Sequence, residues 1–268
     1  MEPATAGGES GGTRILRPHL SHPGRKRSKK NELKPHLKKT WCLGKINAQF
    51  LAHREQILWL YAQPYDSHYP VVCFDERPCF LIGEEMEPLA MQSGQVRKEH
   101  YAYEKNGSCA LLAAIEPLTG RRFAAVYPQR TKKEYTQFCQ ELVATWPEAV
   151  QIRLVQDNLN THNASSFYEN LPASEAFALR QRFEFHYTPK SASWLNLIEI
   201  EFSARARQCL DRRIATLEKL QHEVLSMIKA RDARRIKIRW QFSLAGAREK
   251  MNSHYQRVFT LNTQYKKT

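Results

Sequence analysis

The chain has 268 residues, enough to bury a core, and its 42% hydrophobic content is typical of a folded protein rather than a disordered one. It contains no apolar run near the ~20 residues that span a bilayer and no signal-peptide pattern, so we expect a soluble cytoplasmic protein without a membrane partner. The net charge of +14 is concentrated in residues 1–40, with ten Lys and Arg against three acids, and in residues 203–240, with eleven against four. Such basic flanks favour a polyanionic partner, usually nucleic acid.

The first 65 residues are predicted to hold a tail and a helix. Residues 1–30 are rich in Gly, Pro and basic side chains, which predicts a disordered basic arm. Residues 31–65 are predicted to form a helical linker, because Phe50 and Ile57 have helix-like spacing and Pro64 ends the pattern.

Residues 66–230 alternate between strand and helix patterns, which predicts a mixed α/β fold. Thr131 and Glu134 form a capping box at the start of one predicted helix. A Leu-Thr-Gly turn predicts a hairpin. The strands are predicted within 71–76, 79–84, 108–117, 121–128, 151–158 and 183–189, and the helices over 131–147, 163–181 and 194–230. Residues 231–268 are predicted to form a basic helical tail.

The cysteines predict free buried thiols rather than a zinc site or disulfides, because no CxxC pair occurs. They stand at positions 42, 73, 79, 109, 139 and 209.

Two acids share one setting. Asp75 and Asp157 each directly follow an apolar strand run, where the chain is expected to leave the sheet. If the two strands are parallel neighbours, both carboxylates reach the same edge of the sheet. Close carboxylates repel each other unless a cation lies between them, and oxygen ligands select Mg²⁺ or Mn²⁺. The alternative is that each acid only caps a turn.

A third acid is expected on the helix that starts near residue 194. Glu199 and Glu201 are the candidates, and they point about 200° apart on a helix, so only one faces the site. Glu201 has a surface explanation in Arg205, four residues later. Glu199 shares its face with the small polar residues Asn196 and Ser203, as a metal ligand needs, and is our choice.

Three acids without clusters of His or Cys are typical of two-metal phosphoryl transfer. We therefore expect Asp75, Asp157 and Glu199 to hold two Mg²⁺ ions, for which Mn²⁺ can substitute. Asp75 is the best candidate for a bridging ligand because it is expected on a central strand.

Three blocks, VVCFDE (71–76), LVQDNLNTH (154–162) and HYTPKSASWLNLIEIEFS (186–203), together resemble the acid-bearing blocks of bacterial insertion-sequence transposases related to mariner elements. These form the insertion sequence six-thirty family, within the DDE superfamily endonucleases. The similarity covers roughly residues 30–258.

The resemblance implies an RNase H-like fold of the integrase and transposase type, in which helices flank a mixed sheet. It also implies Mg²⁺-dependent cleavage of transposon ends and strand transfer into a TA dinucleotide. Double-stranded DNA is the implied partner, a homodimer the implied assembly and the bacterial nucleoid the implied location. The family's acidic triad falls on Asp75, Asp157 and Glu199. The residues expected to contact DNA are Asn158, His162, Lys190, Trp194, Arg205, Arg212 and Arg213.

The family's N-terminal helix-turn-helix domain is matched only at its end, by residues 29–42, so we expect most of that domain to be missing. Two functions therefore stay open. The chain is either an active DNA-cleaving and strand-transferring enzyme, or a catalytically idle DNA-binding remnant that competes with the full transposase. The specific blocks disfavour a general nuclease for RNA–DNA hybrids.

Overall fold

A five-stranded mixed sheet forms the centre of the fold. The computed structural model describes residues 46–208, 210 and 212–259, giving the backbone alone for 205–208, and all of them belong to one unit, residues 42–268. The predictions for the basic arm, for Cys42 and Cys209 and for the end of the tail lie outside these residues. The strands are β1 (Val71–Glu84), β2 (Tyr103–Ile115), β3 (Arg122–Tyr127), β4 (Ile152–Gln156) and β5 (Phe183–Tyr187).

Helices cover both faces of this sheet. They are α1 (Ala48–Tyr61), α2 (Lys132–Thr145), α3 (Ser165–Asn170), α4 (Ala173–Gln181), α5 (Ile198–Gln208), α6 (Leu217–Ala233), α7 (Leu244–Lys250) and α8 (Asn252–Val258), with a 3₁₀ turn at Ser193–Leu195. Among the described residues, no helix is long and apolar enough to cross a membrane.

The strand order is β3-β2-β1-β4-β5. β1 pairs antiparallel with β2, and β2 pairs antiparallel with β3. β4 is parallel to both β1 and β5, and helices α2, α3 and α4 lie in the two crossover connections. The order confirms the predicted mixed α/β sheet and places β1 at its centre.

Alternating side chains of the central strands feed two separate cores, because successive residues of a strand point to opposite faces. Val72 and Phe74 of β1 join Leu154 of β4 in the core that includes α2 and α4. Cys73 and Val155 face the opposite core, which contains side chains of α1, α5, α6 and α7. Both cores are fully shielded at these positions, so the face on which a β1 or β4 residue lies is fixed by its parity.

The predicted strands at 71–76 and 79–84 are in fact one strand, β1. Pro78 lies within this continuous strand, although proline lacks the N–H that a sheet ladder needs. The structure tolerates it because β4 pairs only with Val71, Val72 and Cys73, so the rest of β1 has β2 as its single partner. Proline is accepted on such an edge.

The predicted continuous helix from 194 to 230 is also wrong, because the chain breaks between α5 and α6. In the break, the Ile214 carbonyl accepts a hydrogen bond of 2.8 Å from the Ile82 backbone N–H, where the β1–β2 register shifts. Ile214 is buried, and Thr216 then caps α6 by accepting a bond from the Lys219 N–H. Pairing to the edge of β1 therefore replaces a helical turn.

Other local predictions are confirmed. Thr131 and Glu134 form the capping box of α2, and β2 and β3 form the predicted hairpin. Gly120 in its turn has φ +78, and a Cβ there would lie 2.7 Å from the backbone carbon of Arg235, so both conformation and space require glycine. The cysteines that the structure describes, at 73, 79, 109 and 139, are buried thiols.

Candidate active site

The sheet register places Asp75 and Asp157 side by side. The pairing of β1 with β4 ends at Cys73 opposite Val155; Asp75 lies two residues further along β1, and Asp157 lies two residues after Val155, directly beyond β4. Neighbouring strands are ~4.8 Å apart, and residues two positions apart share a face. Both acids therefore lie at the same edge of the parallel part of the sheet, as their strand-end setting predicted for parallel neighbours.

One detail of that prediction is wrong, because Asp75 does not stand at the end of its strand. β1 continues to Glu84 in pairing with β2, and only its pairing with β4 stops before Asp75. The acid is therefore held in the middle of a rigid strand, at the point where the parallel half of the sheet opens.

Asn196 joins the third acid, Glu199, to Asp75. Its side-chain N–H₂ donates to the Phe74 carbonyl at 2.7 Å and lies 3.5 Å from the Asp75 carboxylate. Its backbone carbonyl accepts from the Glu199 N–H at 3.1 Å, and the residue is almost fully buried. Asn196 therefore fixes the start of α5, and with it Glu199, beside Asp75. The sequence showed Asn196 only as a small polar neighbour of Glu199.

The three carboxylates act on one another electrostatically. Burial raises the pKa of Asp75 to about 7, and the charges of Asp157 and Glu199 add to the rise, while the Glu76 N–H and His162 oppose it. Burial also raises the pKa of Glu199, which Arg77 partly opposes. Of the residues that the structure describes, no Lys or Arg forms an ion pair with Asp75 or Glu199. Within the described residues, the carboxylates of Asp75 and Glu199 are therefore not neutralised by a paired Lys or Arg.

A divalent cation fits the chemistry of these side chains. Carboxylate oxygens are the ligands that Mg²⁺ and Mn²⁺ prefer, and a cation would relieve the repulsion that raises the Asp75 pKa. Within the described part of the chain, however, no three His, Cys, Asp or Glu side chains converge closely enough to form a metal site. The fold brings the acids near one another, but the described side chains do not form a three-ligand metal site.

His162 lies in the core, where it contacts Asp157. The ring Nδ1 is 2.5 Å from the Asp157 carboxylate, and Nε2 is 3.5 Å from the Glu76 carboxylate. Burial alone would lower the pKa of His162, but the bond to Asp157 and the nearby Glu76 raise it to about 9. The expected DNA contact of His162 is therefore corrected, because its side chain has no exposed surface.

Glu201 is fully buried, which corrects the expectation that this carboxylate lies at the protein surface. Arg122 of β3 and Arg231 of α6 each donate to its carboxylate at 2.7 Å. Burial would raise the pKa of Glu201, but the bonds from the two arginines outweigh it and lower the pKa. The side chain of Arg205, expected to pair with Glu201 and to contact DNA, lies outside the described residues.

A cleft of about 1000 Å³ opens next to Asp157. Its walls are the start of α1, the loop after β4 and the segment after β5. The lining residues are Asn47, Gln49, Phe50, His53, Asp157, Asn158, Leu159, Thr188, Pro189, Lys190, Ser191 and Ser193. The structure brings the predicted DNA contacts Asn158 and Lys190 into one cleft, both exposed. Sequence reasoning missed the contribution of α1, because nothing local marks a residue 100 positions away as a neighbour.

The other predicted DNA contacts lie apart from the cleft lining. Trp194 is half exposed, with the edge of its ring against Phe242 at 5.7 Å between centroids. Arg212 is exposed and pairs with Glu223 at 2.6 Å.

Arg213 has structural partners. Its guanidinium donates to the Glu84 carboxylate at 2.5 Å and to the backbone carbonyls of His100 and Ala102 at 2.7 and 3.0 Å. These bonds connect the break after α5 to the end of β1, so the guanidinium that was expected to contact DNA is already engaged within the protein.

Comparison with known proteins gives one family and one fold. The family described as DDE superfamily endonuclease matches residues 70–221, more than half of the chain. No curated protein matches the sequence closely enough to count as a relative.

Three solved structures share the fold at low sequence identity. The "Mos1 transposase paired-end complex with left transposon end" and the "Mos1 Strand Transfer Complex" each have a TM-score of 0.52 and 13% identity, over 90% of this chain and 69% of theirs. The "mariner Mos1 paired end complex with Mg" has a TM-score of 0.50 and 14% identity, over 91% of this chain and 70% of its own. The sheet is therefore of the RNase H-like type found in that transposase.

Proposed function

The chain belongs to the DDE superfamily endonucleases, and from this we propose that it is the catalytic part of a DNA transposase. In this proposal it cuts DNA at transposon ends and joins the cut ends to target DNA. The observation that carries the proposal is the placement of Asp75 and Asp157 at equivalent positions of parallel strands, with Glu199 fixed beside Asp75 through Asn196.

Asp75, Asp157 and Glu199 would hold two Mg²⁺ ions, for which Mn²⁺ can substitute. The chemistry that such ions supply when bound is activation of the attacking oxygen and stabilisation of the leaving oxygen. The raised pKa of Asp75 and the absence of Lys or Arg pairs around Asp75 and Glu199 in the described chain support this assignment. One of the Mos1 structures is described as a complex with Mg, which agrees with the proposed metal.

The reaction consists of two phosphoryl transfers. In the first, a water oxygen bonds to phosphorus and the bond to the 3′-oxygen breaks, which leaves a 3′-hydroxyl and a 5′-phosphate. In the second, that 3′-hydroxyl attacks a phosphodiester of the target DNA, so one bond is exchanged for another. The protein contributes positioning and charge rather than a covalent intermediate.

The cleft beside Asp157 is where we place the DNA strand. Lys190 supplies a positive charge for a phosphate, and Asn158 supplies an amide for a phosphate or sugar. Phe50 and Leu159 give the cleft apolar surface on which a sugar or base can rest. Residues 66–230 are the proposed catalytic domain, and two chains on paired DNA ends are the proposed assembly.

The test is nicking of a supercoiled plasmid that carries the element's ends, with Mg²⁺ or Mn²⁺, by the wild type and by Asp157→Asn. The substitution keeps the shape and removes one ligand charge. We expect metal-dependent nicking by the wild type and a loss on the order of 10³-fold in the variant. Equal nicking by both proteins would contradict the assignment of Asp157.

A catalytically idle DNA-binding remnant is the competing function. It predicts that both proteins bind the plasmid, with steep salt dependence, and that neither nicks it. The family match and the arrangement of the acids do not favour this outcome.

A further inference from the structure

A series of polar and charged side chains runs from Asp157 through the buried residues His162 and Glu76 to Arg130. Asp157 contacts His162 at 2.5 Å, and His162 lies 3.5 Å from Glu76. Glu76 in turn pairs with Arg130 at 3.0 Å between its carboxylate and the guanidinium. His162 is fully shielded and Glu76 almost so, whereas Arg130 is exposed. Burying the Glu76 carboxylate and the His162 ring costs free energy of desolvation unless these groups are paired.

The His162 ring is held in one orientation by its neighbours. The Phe74 ring meets it edge-on at 5.0 Å, and the Tyr135 ring lies at 5.1 Å, both measured between centroids. The His162 backbone carbonyl accepts a bond of 2.8 Å from the side chain of Gln156, whose oxygen accepts from the Tyr135 hydroxyl at 2.9 Å. The loop between Asp157 and His162 is therefore closed on itself, and the ring cannot turn without disturbing the core.

The Asp157 side chain therefore has two neighbours, the His162 ring and the cleft. One carboxylate oxygen, Oδ1, is bound by His162, and the partly exposed side chain also lines the cleft. A carboxylate on a loop after a strand has free χ angles unless something fixes it. Bonds from outside the ligand set commonly fix the orientation of metal-binding side chains.

We propose that His162 is a positioning residue, which fixes Asp157 so that its other oxygen faces a divalent cation, while Glu76 fixes His162. This inference rests on the proposed function, in which Asp157 is a metal ligand. It assigns to His162 a role that excludes contact with DNA, and it gives Glu76, beside Asp75 in sequence, a purpose other than metal binding.

Two substitutions separate the two ring nitrogens. The Asn amide nitrogen in His162→Asn occupies the place of Nδ1 and can still donate to Asp157. The Gln amide nitrogen in His162→Gln reaches the place of Nε2 and faces Glu76 instead. Both variants remove the aromatic ring, so a loss of packing affects both. His186→Gln is the control, because His186 is another buried histidine beside a carboxylate, 3.1 Å from Glu184 on β5.

The first readout is Mn²⁺ affinity, measured by electron paramagnetic resonance of free Mn²⁺ without DNA. We expect His162→Gln to bind Mn²⁺ ten- to a hundredfold more weakly than the wild type. His162→Asn and His186→Gln should stay within about threefold of it. Equal affinities of the Asn and Gln variants at position 162 would overturn the positioning role. A wild type that binds no Mn²⁺ would overturn the proposed metal site itself, so the two failures are distinguishable.

The second readout needs no variant and covers the case in which the substitutions prevent folding. The Nδ1 proton of His162 is followed by ¹⁵N–¹H NMR of the wild type during a Mg²⁺ titration. We expect the proton to remain bonded to Asp157, with a shifted resonance, at saturating Mg²⁺. Loss of the resonance to solvent exchange on Mg²⁺ addition would show that Asp157 leaves His162, and would overturn the inference.

Discussion

Glu199 and Glu201 are two residues apart on α5, yet their surroundings differ in every respect. Glu199 is half-buried, has a raised pKa and lies near the carboxylate of Asp75. Glu201 is fully buried, has a lowered pKa and is bound by two arginines. Both carboxylates are withdrawn from bulk water on folding, and among the described residues only Glu201 is bound by arginine side chains. The difference separates a structural acid from an acid that awaits an external cation.

The comparison extends to the rest of the site. Arg122 also donates to the Gly120 and Ile236 carbonyls at 2.5 Å each, so the Glu201 cluster joins the β2–β3 turn, α5 and the segment after α6. Around Asp75 the bonds come from a backbone N–H and an amide side chain, which orient the carboxylate without neutralising it. Within the first turn of α5, Glu201 is held by ion pairs with two arginines, whereas Glu199 lies near a second carboxylate, that of Asp75.

The largest expected effect is that of a substitution at Asp75. Asp75→Asn should reduce metal-dependent nicking on the order of 10³-fold, because a ligand charge is lost. Its free energy of unfolding without metal should be unchanged or higher, because the substitution removes a carboxylate whose charged form is disfavoured in the fold. Plasmid nicking and urea unfolding of the same preparation measure both. A variant that nicks normally, or that unfolds more easily by several kcal/mol, would contradict this account.

Arg122→Met tests the ion-pair cluster around Glu201. We expect a loss of ~3–5 kcal/mol in the free energy of unfolding, because the carboxylate of Glu201 loses one partner while it stays buried. Arg121→Met is the adjacent control, since Arg121 pairs with Glu148 at a partly exposed site, where such pairs contribute about 1 kcal/mol or less. Similar losses for the two variants would mean that the buried cluster is no more important than a surface pair.

Lys190→Ala sharpens the comparison on the DNA side. We expect DNA affinity to fall several-fold and the salt slope of binding to fall by about one, because a phosphate contact in the cleft is removed. Arg212→Ala is the matched variant, a basic residue already paired with Glu223 and outside the cleft lining. Fluorescence anisotropy across a salt series should show the larger change for Lys190, and the reverse order would place the DNA elsewhere.

The smallest expected effect concerns Glu55, a paired acid far from α5 in sequence. Hydrogen bonds from Arg248 lower its pKa, burial opposes this, and a bond from Tyr255 adds to the lowering. Its stabilising contribution is therefore present above the unfolded pKa of ~4.3 and is lost as pH falls through the lower folded pKa. Wild type should exceed Glu55→Gln by about 1 kcal/mol at pH 7, with the gap closing near pH 3. A gap independent of pH would mean that packing, not charge, distinguishes the two.

Local patterns predicted much of the fold. Apolar strand runs, the capping box at Thr131 and the hairpin glycine are short-range signals, and the structure confirms them. The continuity of β1 and the break near Ile214 were not predicted, because what decides each is pairing along the edge of β1, which involves residues distant in sequence.

The acids of the candidate site could be proposed from the sequence, but the residues that surround and hold them could not. Asp75 and Asp157 follow apolar runs, and helix geometry separates Glu199 from Glu201. The partners of Glu201 were mistaken, because Arg122 lies 79 residues away, beyond any helical spacing. The wall that α1 gives to the cleft, and the burial of His162, depend on the tertiary fold in the same way.

The central claim is tested most directly by comparing Glu199→Gln with Glu201→Gln in one nicking and melting experiment. The same chemical change is made two residues apart, on one helix. We expect Glu199→Gln to melt like the wild type and to lose metal-dependent nicking on the order of 10³-fold. Glu201→Gln should melt at a clearly lower temperature and, assayed below that temperature, retain most of its nicking. A folded, stable Glu201→Gln that cannot nick, alongside an active Glu199→Gln, would contradict the account.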